Sequence, residues 1–167
     1  MKQQTSTKGF TIIEVVLVLA IAALIFLVVF LAVPALQRSQ RDNQRRQDLG
    51  RLNTAIINYA GNHNGTNPTI TSANSVDWIN QYVRANGKDT FMDPRGNTAG
   101  AKGEQYILTI DALTTPASYT DLNNTMTFRD KHQCDPATGG TTATTSSRNF
   151  AVLVGLESGN SYCMDNR

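Results

Sequence analysis

The sequence predicts an α+β protein: a long N-terminal helix, apolar along its first half, packed through its second half on a C-terminal antiparallel sheet. Three observations carry that reading. Between Phe10 and Leu36 the only clearly polar residues are Thr11 and Glu14. Leu49, Leu52, Ile56 and Tyr59 then recur at spacings of 3, 4 and 3, which lines one face of a helix. Beyond Gly61 come four short stretches of strand composition, the last two joined by a tight turn. A chain of 167 residues suits one domain with an appended element.

The leader, "MKQQTSTKG", holds Lys2 and Lys8, which account for the whole formal charge of +2. Without residues 1–9 the chain has 13 basic and 13 acidic residues, and residues 62–167 alone have 8 basic against 10 acidic. That balance excludes a broad basic field for nucleic acid, though not a weak or local contact.

The span comes next. Val15 to Val33 is 19 residues without a charge, about 28 Å of helix against the ~30 Å of bilayer hydrocarbon. A secretory signal would be shorter and end in a small-residue cleavage site. Here "PALQRSQRDNQRRQDL" follows, so the helix is expected to remain on the protein. Its orientation is contested. Arg38, Arg41, Arg45, Arg46 and Arg51, offset by Asp42 and Asp48, would by charge put the following residues inside. The cysteines argue for the opposite side. Glu14, one turn into the apolar run, either snorkels to the interface at a helix N-terminus or has a designated partner.

The helix is expected from about Phe10 to Ala60, some 75 Å if continuous. Arg45, Arg46, Asp48, Arg51 and Asn53 would decorate the sides away from the apolar stripe. "GNHNGTNP" reads as a loop. "SVDWINQYVRANG" reads as a short helix with Ser75 as N-cap, Val76, Ile79 and Val83 on one face, and Gly87 as the stop. Trp78 is expected as a core anchor. "TFMDPRGN" is a turn, and "EQYILTID" (104–111), "TMTFRD" (125–130), "NFAVLVGLE" (149–157) and "SYCMD" (161–165) are strands.

Cys134 and Cys163 are the only cysteines. An even count behind a membrane-entry signal favours a disulfide outside the cytoplasm, with two buried thiols as the alternative. Between them "TGGTTATTSS" (138–147) is polar and of low complexity, so a flexible exposed loop is expected, either a variable contact or O-glycosylation surface or a plain connector.

Catalytic patterns are lacking: two histidines, His63 and His132, and no HExxH, P-loop, GxSxG or zinc spacing. A disulfide would also remove any thiol for a Cys/His nucleophile. Asp121, Asp130 and Asp135 with Asn123 and Asn124 offer hard oxygens, but without the spacing or glycine of an EF-hand. No enzyme, metal or cofactor is expected. Asn64-Gly65-Thr66 and Asn123-Asn124-Thr125 match the N-glycosylation triplet, a pattern short enough to arise by chance.

One motif remains. "KGFTIIE", Lys8 to Glu14, ends a short basic leader in Gly, follows it with Phe, and places Glu fifth counting from Phe10, before about 20 apolar residues. The combination resembles the class III signal of type IV pilins and their relatives. The resemblance implies cleavage between Gly9 and Phe10 by a prepilin peptidase and N-methylation of the Phe10 amine. A residue without a side chain at Gly9 suits close approach of a protease. It implies that Glu14 pairs with the Phe10 amine of a neighbouring subunit and so fixes the axial register of a helical homo-oligomer. It also implies a pilin-like lollipop, a Cys134–Cys163 bridge around the last hairpin, and a single-pass precursor in the inner membrane. Pilus assembly machinery would then raise the chain into an extracellular filament, with host or surface ligands as further partners. Adhesion, motility and DNA uptake are the uses of such filaments.

Two features depart from the family. Ala22 and Ala23 stand where a helix-breaking Gly is usual, and Pro34 comes late, so a kink or local melting is expected around Phe30–Pro34. The close alternative is a pseudopilin of a secretion machine, some of which bind calcium near the C-terminus. An alternative of another class, an uncleaved single-span binding module, leaves Gly9-Phe10 and Glu14 unexplained.

Overall fold

The computed structural model describes residues 9–71, 75–84, 91–95, 104–110 and 125–167. Helix α1 runs from Ile12 to Asn62, and α2 (Ser75–Trp78) passes directly into a π-helical turn (Ile79–Val83). The strands are β1 (Met92–Asp93), β2 (Glu104–Gln105), β3 (Ile107–Ile110), β4 (Thr125–Asp130), β5 (His132–Cys134), β6 (Thr141–Ala143), β7 (Phe150–Gly155) and β8 (Ser161–Asp165). The chain divides into two compact units, Met1–Gln37 and Arg38–Arg167.

In the first unit the large apolar side chains stand exposed on every side of the helix, from Phe10 (89 %) through Leu36 (60 %). This is one helix long and apolar enough to cross a membrane. Pro34 lies inside it without interrupting it. Of the kink or local melting expected around Phe30–Pro34, melting is not observed in the single chain, where the helix is continuous.

The second unit is α+β, and its sheet is rich in antiparallel pairs. Strand order is β3-β4-β7-β8. The β4–β7 and β7–β8 pairs are antiparallel, but β3 and β4 run parallel, with Ile107 opposite Thr125. A parallel neighbour needs a crossover of a dozen residues or so rather than a hairpin, and residues 111–124 supply that length. Alternation along β4 and β7 turns Met126, Phe128, Phe150, Val152 and Val154 to one face. There they meet Leu49, Leu52, Ala55 and Ile56 of α1 in a single core. Ile79, Val83 and Trp78 join it, so the expected anchoring role of Trp78 holds.

Four expectations need correction. "EQYILTID" is not one strand. It is split at the fully buried Tyr106 into β2, paired with β1, and β3, in the larger sheet. The "TFMDPRGN" turn contains β1. The polar 138–147 segment is not a featureless loop, because Thr141–Ala143 pairs with β5. Gly139 makes the preceding turn possible with φ of 68°, a region where only glycine is unstrained. Finally, Arg45, Asp48 and Asn53 are buried rather than decorative. The expected stop at Gly87 and the end of "EQYILTID" at Asp111 lie outside the described residues.

Small sheet β5–β6 packs on the larger one through β5, which touches both β7 and β8. Cys134 of β5 is disulfide-bonded to Cys163 of β8 across a sequence separation of 29. Closing a loop of that length in the unfolded chain is worth about 3–4 kcal/mol in the chain-entropy model. The expected outcome for the full chain in detergent micelles is a loss of about that size in the double variant Cys134→Ser/Cys163→Ser. Reductant should reproduce it in the native protein, measured by thermal or denaturant unfolding.

Candidate functional site: an N-terminal carboxylate and a buried charge cluster

Glu14 sits at the third position of α1, and Thr11 immediately precedes the helix. Glu14 Oε2 accepts from the Thr11 backbone N–H at 2.9 Å and from its hydroxyl at 2.8 Å. In return the Glu14 N–H donates to Thr11 Oγ1 at 3.4 Å. This is a capping box, in which two otherwise orphaned donors at a helix start are satisfied reciprocally. Both bonds that the carboxylate accepts from described residues fall on Oε2, and among the described residues none falls on Oε1. The Thr-x-x-Glu spacing ahead of an apolar run was legible in the sequence but went unread there. Gly9 and Phe10 lie just before the box, both exposed, with open space around the Gly9 α-carbon.

A second constellation lies in the head. Arg45, with no exposed surface, is held by three carboxylates. Its Nε and Nη2 donate to Asp93 Oδ2 and Oδ1 at 2.8 and 2.9 Å, and its Nη1 to Asp42 Oδ1 at 3.0 Å and Glu157 Oε1 at 3.2 Å. Arg41 forks onto the same Glu157 at 2.6 and 2.7 Å. Asp42 also accepts from the backbone N–H groups of Glu157 and Ser158, in the turn between β7 and β8. One turn further along α1, Asp48 accepts from the Tyr106 hydroxyl and from Arg51, each at 3.3 Å.

Burial pushes Glu157 upward, but the hydrogen bonds and charges of Arg41 and Arg45 outweigh it and hold its carboxyl below the ordinary range. Asp48 goes the other way. Burial dominates there and raises its pKa despite Arg51 and Tyr106. Burial, with the Asp48 charge added to it, drives the Tyr106 hydroxyl far up, so it stays a donor at any ordinary pH.

Other candidates are dispersed. His63 stacks on Tyr59 with ring centroids 3.8 Å apart, its Nδ1 2.8 Å from the Tyr59 carbonyl oxygen. His132 Nδ1 lies 2.7 Å from the carbonyl oxygen of Asp130. Both cysteines are oxidised, so neither is a nucleophile. Asp130 accepts from Asn67 and Asp135 folds onto its own turn, while Asp121, Asn123 and Asn124 lie outside the described residues. No group of three metal-ligating side chains forms among the described residues. Asn64 is exposed in a turn, with φ of 55°.

No family model, curated protein or solved structure matches this chain. Functional assignment therefore rests on the residues themselves.

Two outcomes are expected. Thr11→Ala, which removes the hydroxyl of the cap, should cost the first turn about 1 kcal/mol, read as faster amide exchange at Ile12–Glu14 in micelles. For Glu157 the depressed folded pKa means that its contribution is present above the unfolded carboxylate range and lost as pH falls through the folded value. Glu157→Gln should therefore lower stability by ~2 kcal/mol near pH 7, with the difference from native closing below about pH 4. A difference that persists unchanged into acid would contradict the charge-pair role.

Proposed function

We propose that this chain is a structural subunit of a type IV pilus. In this reading it is held in the membrane as a single-pass precursor, cut between Gly9 and Phe10, and polymerised through its apolar helix into a surface filament. The observation that carries the reading is the lone carboxylate of Glu14, five residues from Gly9, in the first turn of a helix apolar on every side. Hydrolysis of the Gly9–Phe10 amide would leave the leader with a carboxylate and the helix with a new Phe10 amine, which N-methylation then caps. A cationic amine and an anionic Glu14 are each costly in an apolar bundle and tolerable together. Lipid tails are as apolar as the helices, so the hydrophobic effect drives little association between them. A charge pair between neighbours would supply register that a smooth apolar surface lacks.

The arginines after the span do not oppose an external head. Arg41, Arg45 and Arg51 are paired with carboxylates of the folded head, and whole domains cross membranes largely regardless of their charge. The disulfide also suits an oxidising compartment.

Mass spectrometry of protein sheared from the cell surface tests the proposal. The expected product is an abundant chain starting at N-methylated Phe10. A processed chain retained in the membrane would favour the secretion pseudopilin, and an intact Met1 start would sink both. In Glu14→Ala the same cleavage is expected, with filament yield down about tenfold or more, as the loss of a contact worth upwards of ~1.4 kcal/mol per subunit would give.

A further inference from the structure

In the second unit, helix α1 carries a stripe of carboxamides that the fold does not use. Gln40, Gln44, Gln47 and Arg51 follow one another at spacings of 4, 3 and 4, so they share one face of the helix. With Asn43 and Asp48 they line a groove of about 430 Å³, within the ~300–1,000 Å³ of small-molecule sites. Gln40, Gln44 and Gln47 are exposed, and among the described residues none of their carboxamides has a hydrogen-bond partner. Asn43 Oδ1 accepts from Arg46 at 3.2 Å, and its Nδ2 has no partner there either. Each such carboxamide brings a pair of donors and an acceptor oxygen.

Asp48 is the buried member of the lining. The bonds it accepts from Tyr106 and Arg51 are both 3.3 Å long. Burial raises its pKa in spite of them, the mark of a carboxylate short of donors. Its charge is nonetheless answered within the groove, because Arg51 is its ion-pair partner. Arg51 is in turn laid over the Phe91 ring, 5.5 Å from the centroid. Matched charges favour a ligand that carries none. The lining lacks a partner that donates to Asp48 and both donates and accepts along the carboxamides. A hydroxyl does both through one oxygen. Gln40 to Gln47 covers about 10 Å of helix, a length that successive ring hydroxyls can follow.

We propose that this groove on α1 is a binding site for a neutral sugar of one or two rings. The carboxamides of Gln40, Asn43, Gln44 and Gln47 exchange hydrogen bonds with its hydroxyls, and Asp48 accepts from one more. The site is independent of the filament assignment, since it concerns the second unit alone.

The test is a magnetic-resonance titration of the isotope-labelled full chain in micelles of a phosphocholine detergent, whose headgroup offers no sugar. The probes are glucose, N-acetylglucosamine and maltose. With at least one of them the side-chain amide signals of Gln40, Asn43, Gln44 and Gln47 should move together and saturably, half-saturating on the order of 1 mM. Gln44→Ala and Gln47→Ala should each weaken binding about fivefold, the loss of one neutral hydrogen bond. Both positions are exposed on a helix, where alanine keeps the fold. Asn58→Ala, also exposed on α1 but outside the groove, should bind as the native chain does. Silence from all three sugars would overturn the proposal. So would undiminished affinity in both glutamine variants, or sodium acetate shifting the same signals as strongly. Signals that move with protein concentration in the absence of sugar would overturn it too, and would assign the groove to a second copy of the chain.

Discussion

Arg45 is the point on which the head depends. Its guanidinium joins helix α1 to β1 through Asp93 and to the β7–β8 turn through Glu157, with Asp42 bracing it from one turn earlier on the helix. The apolar core beneath it is non-directional and would tolerate small slides of helix over sheet. Two forked arginines and three carboxylates do not, because every bond has a fixed partner and geometry. Deleting one member of such a cluster outright, with no neutral acceptor or donor left in its place, strands the others in low dielectric at a cost of about 3–5 kcal/mol. The consequences pass along the chain. Asp42 gathers the N–H groups of Glu157 and Ser158, which shapes the turn that returns the chain as β8. Strand β8 presents Cys163, and through it the disulfide holds β5 and the small sheet in place.

Most of the helix was legible in the sequence, since a long apolar run and a 3–4–3 stripe admit few alternatives; the expected Phe10–Ala60 became Ile12–Asn62. Strands β4 and β8 matched the expected stretches, because alternation and a Ser-Gly-Asn turn mark them locally. The charge cluster was missed for a specific reason. Asp42 and Arg45 lie seven and four residues before Leu49, which puts them on the same stripe as Leu49, Leu52 and Ile56. Charges on a core stripe read as solvated unless their partners are known, and those partners stand 48 and 112 residues away. Strand β6 failed differently. Its Thr-rich composition resembles a linker, and only pairing with β5 makes it a strand.

At the candidate site, the position of Glu14 was legible and its local partner was not. Glu14 and Glu157 show how environment divides one residue type. Glu157 is spent on the fold, with Arg41 and Arg45 filling both oxygens. Glu14 is held by the shortest local means, a capping box that occupies one oxygen and completes the first turn of the helix.

That division bears on assembly in the proposed filament. A carboxylate entering an apolar bundle with no partner would have to neutralise or refuse burial. One that must break its helix cap to meet a neighbour would lose on one side what it gained on the other. The Thr11–Glu14 box avoids both, because Oε2 stays with the cap while Oε1 can receive an amine. In that proposed assembly the carboxylate would be tolerable in the membrane before a neighbour arrives and would be competent to pair when one does. The helix start need not rearrange between the two states, so little of the pairing energy is lost to reorganisation.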